Sequence, residues 1–283
     1  IAIKYINFIK RQCPRTAIIY DTVDLSFVRE MRRAYIQKNK DIFLVAENCR
    51  RTELYLAKNS DVTFVVSSEE KKILLEEDSS LRVEVVSNVH NITMPETPFS
   101  KRKDILFVGG FEHPPNTDAV LFLVNEIMPL VKRRLFGICL YIIGHNPPED
   151  VVRLNSKDVI VTGYIQDITP YFERCRVFVA PLRFGAGVKG KINQSMSHGL
   201  PVVTTSIGAE GIGLINNLDA LIADEPTDFA EKVVSVYLDE DLWNKLSINS
   251  IENVRRHFSP DVARQKIKSV MDELTFNDSH VEK

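Results

Sequence analysis

No apolar run in the sequence approaches the roughly 18 residues that a membrane-spanning helix needs, and no secretory leader is legible at the amino end. The expected location is therefore cytoplasmic, with peripheral contact at the inner face of the membrane as the one form of membrane association left open. Cysteine is scarce: Cys13, Cys49, Cys139 and Cys175 stand far apart, without a C-x-x-C or a tight Cys/His cluster. Neither a metal centre nor a redox pair is expected, and a reducing compartment fits. Cys139 and Cys175 lie in or beside apolar runs and read as buried thiols. A net charge of −2 supplies no general attraction for nucleic acid. Affinity for phosphate must then come from a local arrangement of cations and backbone amides, and the partner is expected to be small. Repeats and low-complexity tracts are absent.

What is present is an alternation of short apolar runs with longer charged segments. Ala17-Ile18-Ile19-Tyr20-Asp21, Val62-Thr63-Phe64-Val65-Val66 and Val83-Glu84-Val85-Val86 read as buried strands. One long charged helix is expected between the first two, reaching to about Ser60, and Ser67 or Ser68 is expected to cap the helix after the second. Met94-Pro95-Glu96-Thr97-Pro98 then breaks the pattern as a linker. Further strands are expected over 105–108, 138–143, 159–162, 177–180, 201–204 and 220–222, with a helix over 116–134 after the first of them. After Pro226 the pattern is helical over 227–237, 240–257 and 260–274, the last opening on Ser259-Pro260. Strands that alternate with helices predict an α/β chain with parallel sheets covered on both faces. Ligands of such sheets sit at the carboxyl ends of the strands, where loops begin at Gly109, Gly144, Gly163 and Pro181.

One of these loops carries most of the chemistry. In Pro181-Leu182-Arg183-Phe184-Gly185-Ala186-Gly187-Val188-Lys189-Gly190-Lys191, three glycines let the backbone approach a ligand, and Lys189 and Lys191 add charge. The helix that follows turns its N–H groups toward the loop. Short glycine loops join strands to helices in many proteins that bind nothing there, but two lysines among three glycines favour an anion site, most simply one for a diphosphate.

At this point the residues resemble the retaining glycosyltransferases of family 4, group 1, which have the GT-B fold. The likeness is carried by Val108-Gly109, by Val161-Thr162-Gly163-Tyr164 with Pro170-Tyr171, by Met196-Ser197-His198-Gly199-Leu200-Pro201-Val202-Val203, by Gly208-Ala209-Glu210-Gly211 and by Phe258-Ser259. It covers nearly all of 104–275. The resemblance implies a Rossmann-like donor-binding domain over 96–258, a partial Rossmann-like acceptor-side domain over 1–95, and a C-terminal helix over 259–283 packing back toward the amino-terminal part. Because the first residue is Ile1 rather than Met and the acceptor half is incomplete, other domains of a longer parent chain are expected.

The same resemblance implies transfer of a sugar, with retention, from a nucleotide-diphosphate sugar to a saccharide or glycan acceptor in surface polysaccharide synthesis. The enzyme would be hexosyltransferase-like and metal-independent, with the nucleotide sugar as substrate and no cofactor. Lys189 and Lys191 would hold the leaving diphosphate, supported by the backbone of Gly185, Ala186, Gly187, Val188 and Gly190. Gly109, Gly110 and Asn116 would line the same site. Gly163, Tyr164 and Ile165 would approach the nucleobase, while Gln194 and Glu210 would address ribose or sugar hydroxyls. His113 would contact sugar or phosphate, or else only shape its turn; Glu210 has the alternative reading of a solvated helix-start acid. His198 reads as packing or capping near a helix end.

The chain departs from the family pattern in a systematic way. Two glutamates eight positions apart are usual there, and Ala186 and Gln194 occupy those positions; the usual Arg and Lys after the first strand fall on Gly110 and Asn116. Either the site is inactive and the chain is a nucleotide- or protein-binding module, or the charge has been relocated to Lys189 and Lys191. Relocation is the favoured reading. An epimerase of similar architecture would need acid/base carboxylates that the loop lacks, and a nicotinamide site would need a G-x-G-x-x-G that Gly109-Gly110-Phe111-Glu112-His113-Pro114 does not provide.

Overall fold

The computed structural model describes residues 2–279. Two compact units divide the chain: the first draws on Ile1–Val89, Phe184–Val188 and Pro260–Lys283, the second on His90–Arg183 and Lys189–Ser259.

In the first unit, α1 (Ala2–Gln12) precedes β1 (Ile19–Asp21), α2 (Ser26–Gln37), α3 (Lys40–Lys58), β2 (Val62–Val65), α4 (Ser68–Glu77) and β3 (Val83–Val85). The strands form a parallel sheet in the order β1-β2-β3, over a core that includes Leu25, Phe27, Val65, Leu74 and Val83. The single helix expected between the first two strands is in fact two. Lys38 adopts a left-handed conformation (φ 49°) that ends α2, and the Asn39 side chain accepts from the Asp41 N–H at 2.9 Å to start α3. Leu25 stands at the N-cap of α2 and has no side-chain acceptor. Glu53 supplies one from α3, accepting from the N–H groups of Ser26 and Phe27 at 2.9 and 3.3 Å. Ser67 caps α4 through the Glu70 N–H.

Segment 184–188 is held by this first unit. The Gly185 carbonyl accepts from Arg32 at 2.7 Å, and the Val188 carbonyl from Asn88 at 3.2 Å. Gly187 has φ 66°, and a Cβ there would lie 3.0 Å from Asp24, so the position requires glycine.

The second unit is built on β4 (Ile105–Val108), β5 (Leu140–Ile143), β6 (Val159–Gly163), β7 (Val177–Ala180), β8 (Val202–Thr204) and β9 (Leu221–Ile222). These six strands are parallel, in the order β6-β5-β4-β7-β8-β9. Its helices are α5 (Pro114–Phe122), α6 (Met128–Lys132), α7 (Glu149–Val152), α8 (Thr169–Arg174), α9 (Gly190–Ser197), α10 (Ser206–Ala209), α11 (Pro226–Leu238) and α12 (Glu240–Phe258); α13 (Pro260–Ser279) belongs to the first unit. The helix expected over 116–134 begins at Pro114 and is interrupted by a π-helical turn, Leu123–Ile127. Pro129, just beyond, has no N–H to continue the regular ladder. Ile105, Phe107, Leu140, Ile142, Val177 and Val179 are almost fully buried in one cluster with residues of α5, α6 and α11, which explains why these strands read as continuous apolar runs.

Arg102 locks the entry to β4. It is 1% exposed and donates to the carbonyls of Thr97, Phe172 and Cys175 and to the carboxylate of Glu173, with its guanidinium 5.1 Å from the centre of the Trp243 ring. Cys175 is buried as expected, and its thiol is pushed well above its ordinary range by burial. Cys139 is only partly buried, because it precedes β5 rather than lying in it.

Candidate functional site

The order of the second sheet places β5 on one side of β4 and β7 on the other. Connections therefore leave β4 and β7 in opposite directions, and the gap between their carboxyl ends is where parallel sheets of this kind accept ligands. Two segments enter that gap. One follows β4 and contains Gly109, Gly110, His113 and Asn116; the other leads into α9 and contains Lys189, Gly190 and Lys191.

These segments meet through side chains. The Lys191 ammonium donates to the Asn116 side-chain oxygen at 2.5 Å and lies 4.5 Å from the centre of the Phe107 ring. Asn116 is 8% exposed and turns its amide back to the Gly110 carbonyl at 2.7 Å. Among the described residues no carboxylate lies within ion-pair distance of Lys191. Burial and the neighbouring Lys189 push its pKa down to about 7, since both effects disfavour the charged form. Lys189 does have an acid: Glu210 Oε2 lies 3.8 Å from its ammonium. The site thus presents two cations, of which only Lys189 is neutralised from within by that pair.

The remaining expected residues take distinct places. Lys189 stands at the N-cap of α9 and Lys191 is its second residue, so Gly190 opens the helix. Gln194 is half-buried, one turn beyond Lys191. Gly185, Ala186, Gly187 and Val188 belong to the first unit. Glu210 follows the last residue of α10, which corrects its reading as a helix-start acid: the helix here ends rather than begins. His113 is exposed, and its side chain does not cap α5; only its backbone is tied in, N–H to the Gly110 carbonyl and C=O to the Asn116 N–H. His198 is at the C-cap of α9 and stacks on Phe172, with centroids 4.7 Å apart.

At the end of β6, Gly163 has φ 72°, which turns the chain into Tyr164 and Ile165. The Tyr164 ring is 68% exposed and meets the His145 ring edge-on, with centroids 6.0 Å apart. The sequence reading missed His145, Asn146 and Glu112. Their only signal was a position just past Gly144 and Gly109, at the carboxyl edge. Among the described residues no group of three or more His, Cys, Asp or Glu side chains is placed to hold a metal, and no helix is long and apolar enough to cross a membrane.

Residues 102–239 match the family model for Glycosyl transferases group 1. The chain is 24% identical over 164 residues to an uncharacterised 44.6 kDa protein of the cps region of Klebsiella pneumoniae, covering 55% of this chain and 42% of that one. Among solved structures it resembles sucrose-phosphate synthase of Thermosynechococcus elongatus, with a TM-score of 0.74, 16% identity, and coverage of 96% of this chain and 71% of the other. It also resembles Anabaena Alr3699/HepE in complex with UDP and glucose, with a TM-score of 0.73, 13% identity, and coverage of 96% and 74%. The fold is GT-B. The chain spans less than half the length of the curated relatives it matches.

Proposed function

We propose that the second unit binds a nucleotide-diphosphate sugar and that the chain is part of a retaining glycosyltransferase, metal-independent and hexosyl-transferring, acting on a saccharide or glycan acceptor in polysaccharide assembly. The observation that carries this reading is the Lys191 ammonium on Asn116, without a carboxylate of its own, in the gap between β4 and β7. A cation desolvated at that place is unfavourable until an anion arrives, and a diphosphate is the anion that two lysines and a helix start fit best.

In the proposed reaction the bond between the anomeric carbon and the diphosphate oxygen breaks, and negative charge grows on the leaving group. Lys189, Lys191 and the first N–H groups of α9 stabilise that charge. A bond forms from the acceptor hydroxyl oxygen to the anomeric carbon on the face that the diphosphate leaves, and the hydroxyl proton passes to the departing phosphate. No protein base is needed. Gln194 and Glu210 are assigned to hydroxyls of ribose or sugar, and His113 to the sugar or phosphate.

The reading in which charge is relocated draws support from one contact. Asn116 stands where the family's lysine is usual, and the Lys191 ammonium is on its side chain. Against this, Ala186 and Gln194 in place of acids favour a module that binds nucleotide without transfer. Incubation of the full-length parent with labelled UDP-, GDP- and dTDP-sugars separates the two readings: transfer or hydrolysis supports the enzyme, and donor binding without turnover supports the module. The Klebsiella relative's cps region and the UDP and glucose of the Anabaena complex make UDP-glucose the first donor to try.

A further inference from the structure

The first twenty residues of the chain hold Lys4, Lys10, Arg11 and Arg15 and no acid, although the whole chain carries a net charge of −2. Such a one-signed segment calls for an anionic partner. Lys10 and Arg11 lie in the last turn of α1, and Arg15 follows in the connection to β1. That connection borders a cavity of about 270 Å³ whose lining includes Pro14, Arg15, Thr16, Asp61, Arg82 and Leu274, all of the first unit. Asp61 precedes β2, Arg82 precedes β3, and Leu274 comes from α13. The cavity therefore lies at the amino ends of the strands, the edge opposite the one where parallel sheets take their usual ligands.

Its charges are unequally committed. Arg15 has no hydrogen-bond or ion-pair partner among the described residues. Arg82 donates to Glu273 of α13 at 2.5 Å, but the two side chains are 30% and 61% exposed, and a pair this open contributes about 0–1 kcal/mol. Asp61, the acid of the lining, already accepts from the Ile18 N–H at 2.7 Å. Backbone bonds hold the walls: the Asp61 N–H donates to the Ile18 carbonyl and the Thr63 N–H to the Arg82 carbonyl, both at 2.8 Å, and the Thr16 N–H to the Cys13 carbonyl at 3.0 Å. A second ion pair, Lys266 to Glu84 at 2.9 Å, ties α13 to β3, so the helix stays docked when Arg82 changes partner.

We propose that this cavity binds a phosphate group, engaged by Arg15 and Arg82 from two connections, with Arg82 leaving Glu273 to do so. A guanidinium meets phosphate oxygens through two parallel N–H bonds, and a dianion shared by two guanidiniums outweighs one exposed carboxylate. The site is separate from the lysine pair, which belongs to the other unit, and it does not depend on the donor-site reading. Two sources present the same group, a soluble phosphate monoester and a lipid headgroup. The second enters because α1, which leads to the cavity wall, leaves Tyr5 and Phe8 exposed.

Inorganic phosphate is the first probe. Calorimetric titration uses the 283-residue chain carrying Lys191→Met, which weakens the donor site, and R15A, R82A and E273Q made on that background. R15A and R82A should each weaken phosphate about tenfold or more, the worth of one charge-assisted bond. E273Q, which releases Arg82, should tighten it by up to about fivefold. Co-sedimentation with phosphatidylcholine vesicles containing phosphatidylglycerol identifies the source: capture that is lost in R82A and competed by phosphate assigns the headgroup, and phosphate binding without capture assigns a soluble ligand. Failure of both probes on the Lys191→Met background, or binding undiminished in R15A and R82A, overturns the proposal while leaving the donor site standing. Matching thermal midpoints for the variants exclude misfolding as the cause.

Discussion

The Lys191 ammonium and the Asn116 side-chain oxygen are 2.5 Å apart, although 75 residues separate them in sequence. Their contact joins the segment after β4 to the helix after β7, and it makes one position of the site exchangeable. Asn116→Lys alone should crowd two ammonium groups and lower both stability and diphosphate affinity. Lys191→Asn alone should weaken nucleoside-diphosphate binding by about tenfold or more, the worth of one charge-assisted bond. The double swap, Asn116→Lys with Lys191→Asn, should recover most of the affinity in titration calorimetry. A double variant as weak as the worse single one would show that the identity of the residue, rather than the charge at that place, matters.

Proton uptake should accompany ligand binding. Lys191 is pushed down to about 7 by burial and by Lys189, and an incoming diphosphate favours its charged form. Calorimetry at about pH 8 in buffers of different ionisation enthalpy should therefore report net uptake in the wild-type chain and much less in Lys191→Met. Stability should follow the same group. From about 7 up to the ordinary lysine value of about 10.4, the unfolded chain holds a proton that the folded chain has released, so stability rises with pH over that window. Lys191→Met should be more stable than the wild-type chain at pH 7, with the difference shrinking toward pH 10; a gap that is independent of pH would contradict the assignment.

Gly144→Ala should be severe for so small a change. Its Cβ would lie 2.0 Å from the Gly109 carbonyl oxygen and 2.9 Å from the Phe111 ring, and backbone cannot yield as a flexible side chain can. A loss of about 1–3 kcal/mol is expected from the overpacking, read as a lowered denaturation midpoint. Nucleotide binding should fall with it, because Gly109 leads into Asn116.

Arg102→Ala removes a guanidinium that serves three carbonyls and a carboxylate. Breaking a buried charge network of this kind costs about 3–5 kcal/mol, so chemical denaturation should show a much lower midpoint. Arg102→Lys should recover little, since a single ammonium cannot reproduce the planar fork.

Much of the fold was legible because parallel strands buried on both faces leave apolar runs bounded by turn residues, as 105–108 and 177–180 do. Where the sequence misled, the deciding interaction was not local. Nothing in Arg33-Ala34-Tyr35-Ile36-Gln37-Lys38-Asn39 contains the glycine or proline that usually ends a helix, yet Lys38 turns left-handed and Asn39 caps the next one. Leu25 looks unfit for an N-cap until Glu53 arrives from another helix. The lysines were visible as an anion signal. Their separate circumstances, Lys189 on Glu210 and Lys191 on Asn116, depend on loops brought together only by the sheet order. His145 and Glu112 carried no signal beyond their position at the carboxyl edge, since a histidine and a glutamate 33 residues apart gain meaning only when β4 and β5 lie side by side.

The close packing at Gly144 divides the carboxyl edge of the second sheet into parts that can change and parts that cannot. Gly144 bears the geometry and admits no side chain, and Asn146 holds a left-handed backbone, whereas the tips at 112, 145 and 164 bear chemistry. A library that varies those tips with Gly144 and Asn146 unaltered would sample new ligand preferences without disturbing the frame. Diversity placed at Gly144 would lower stability instead.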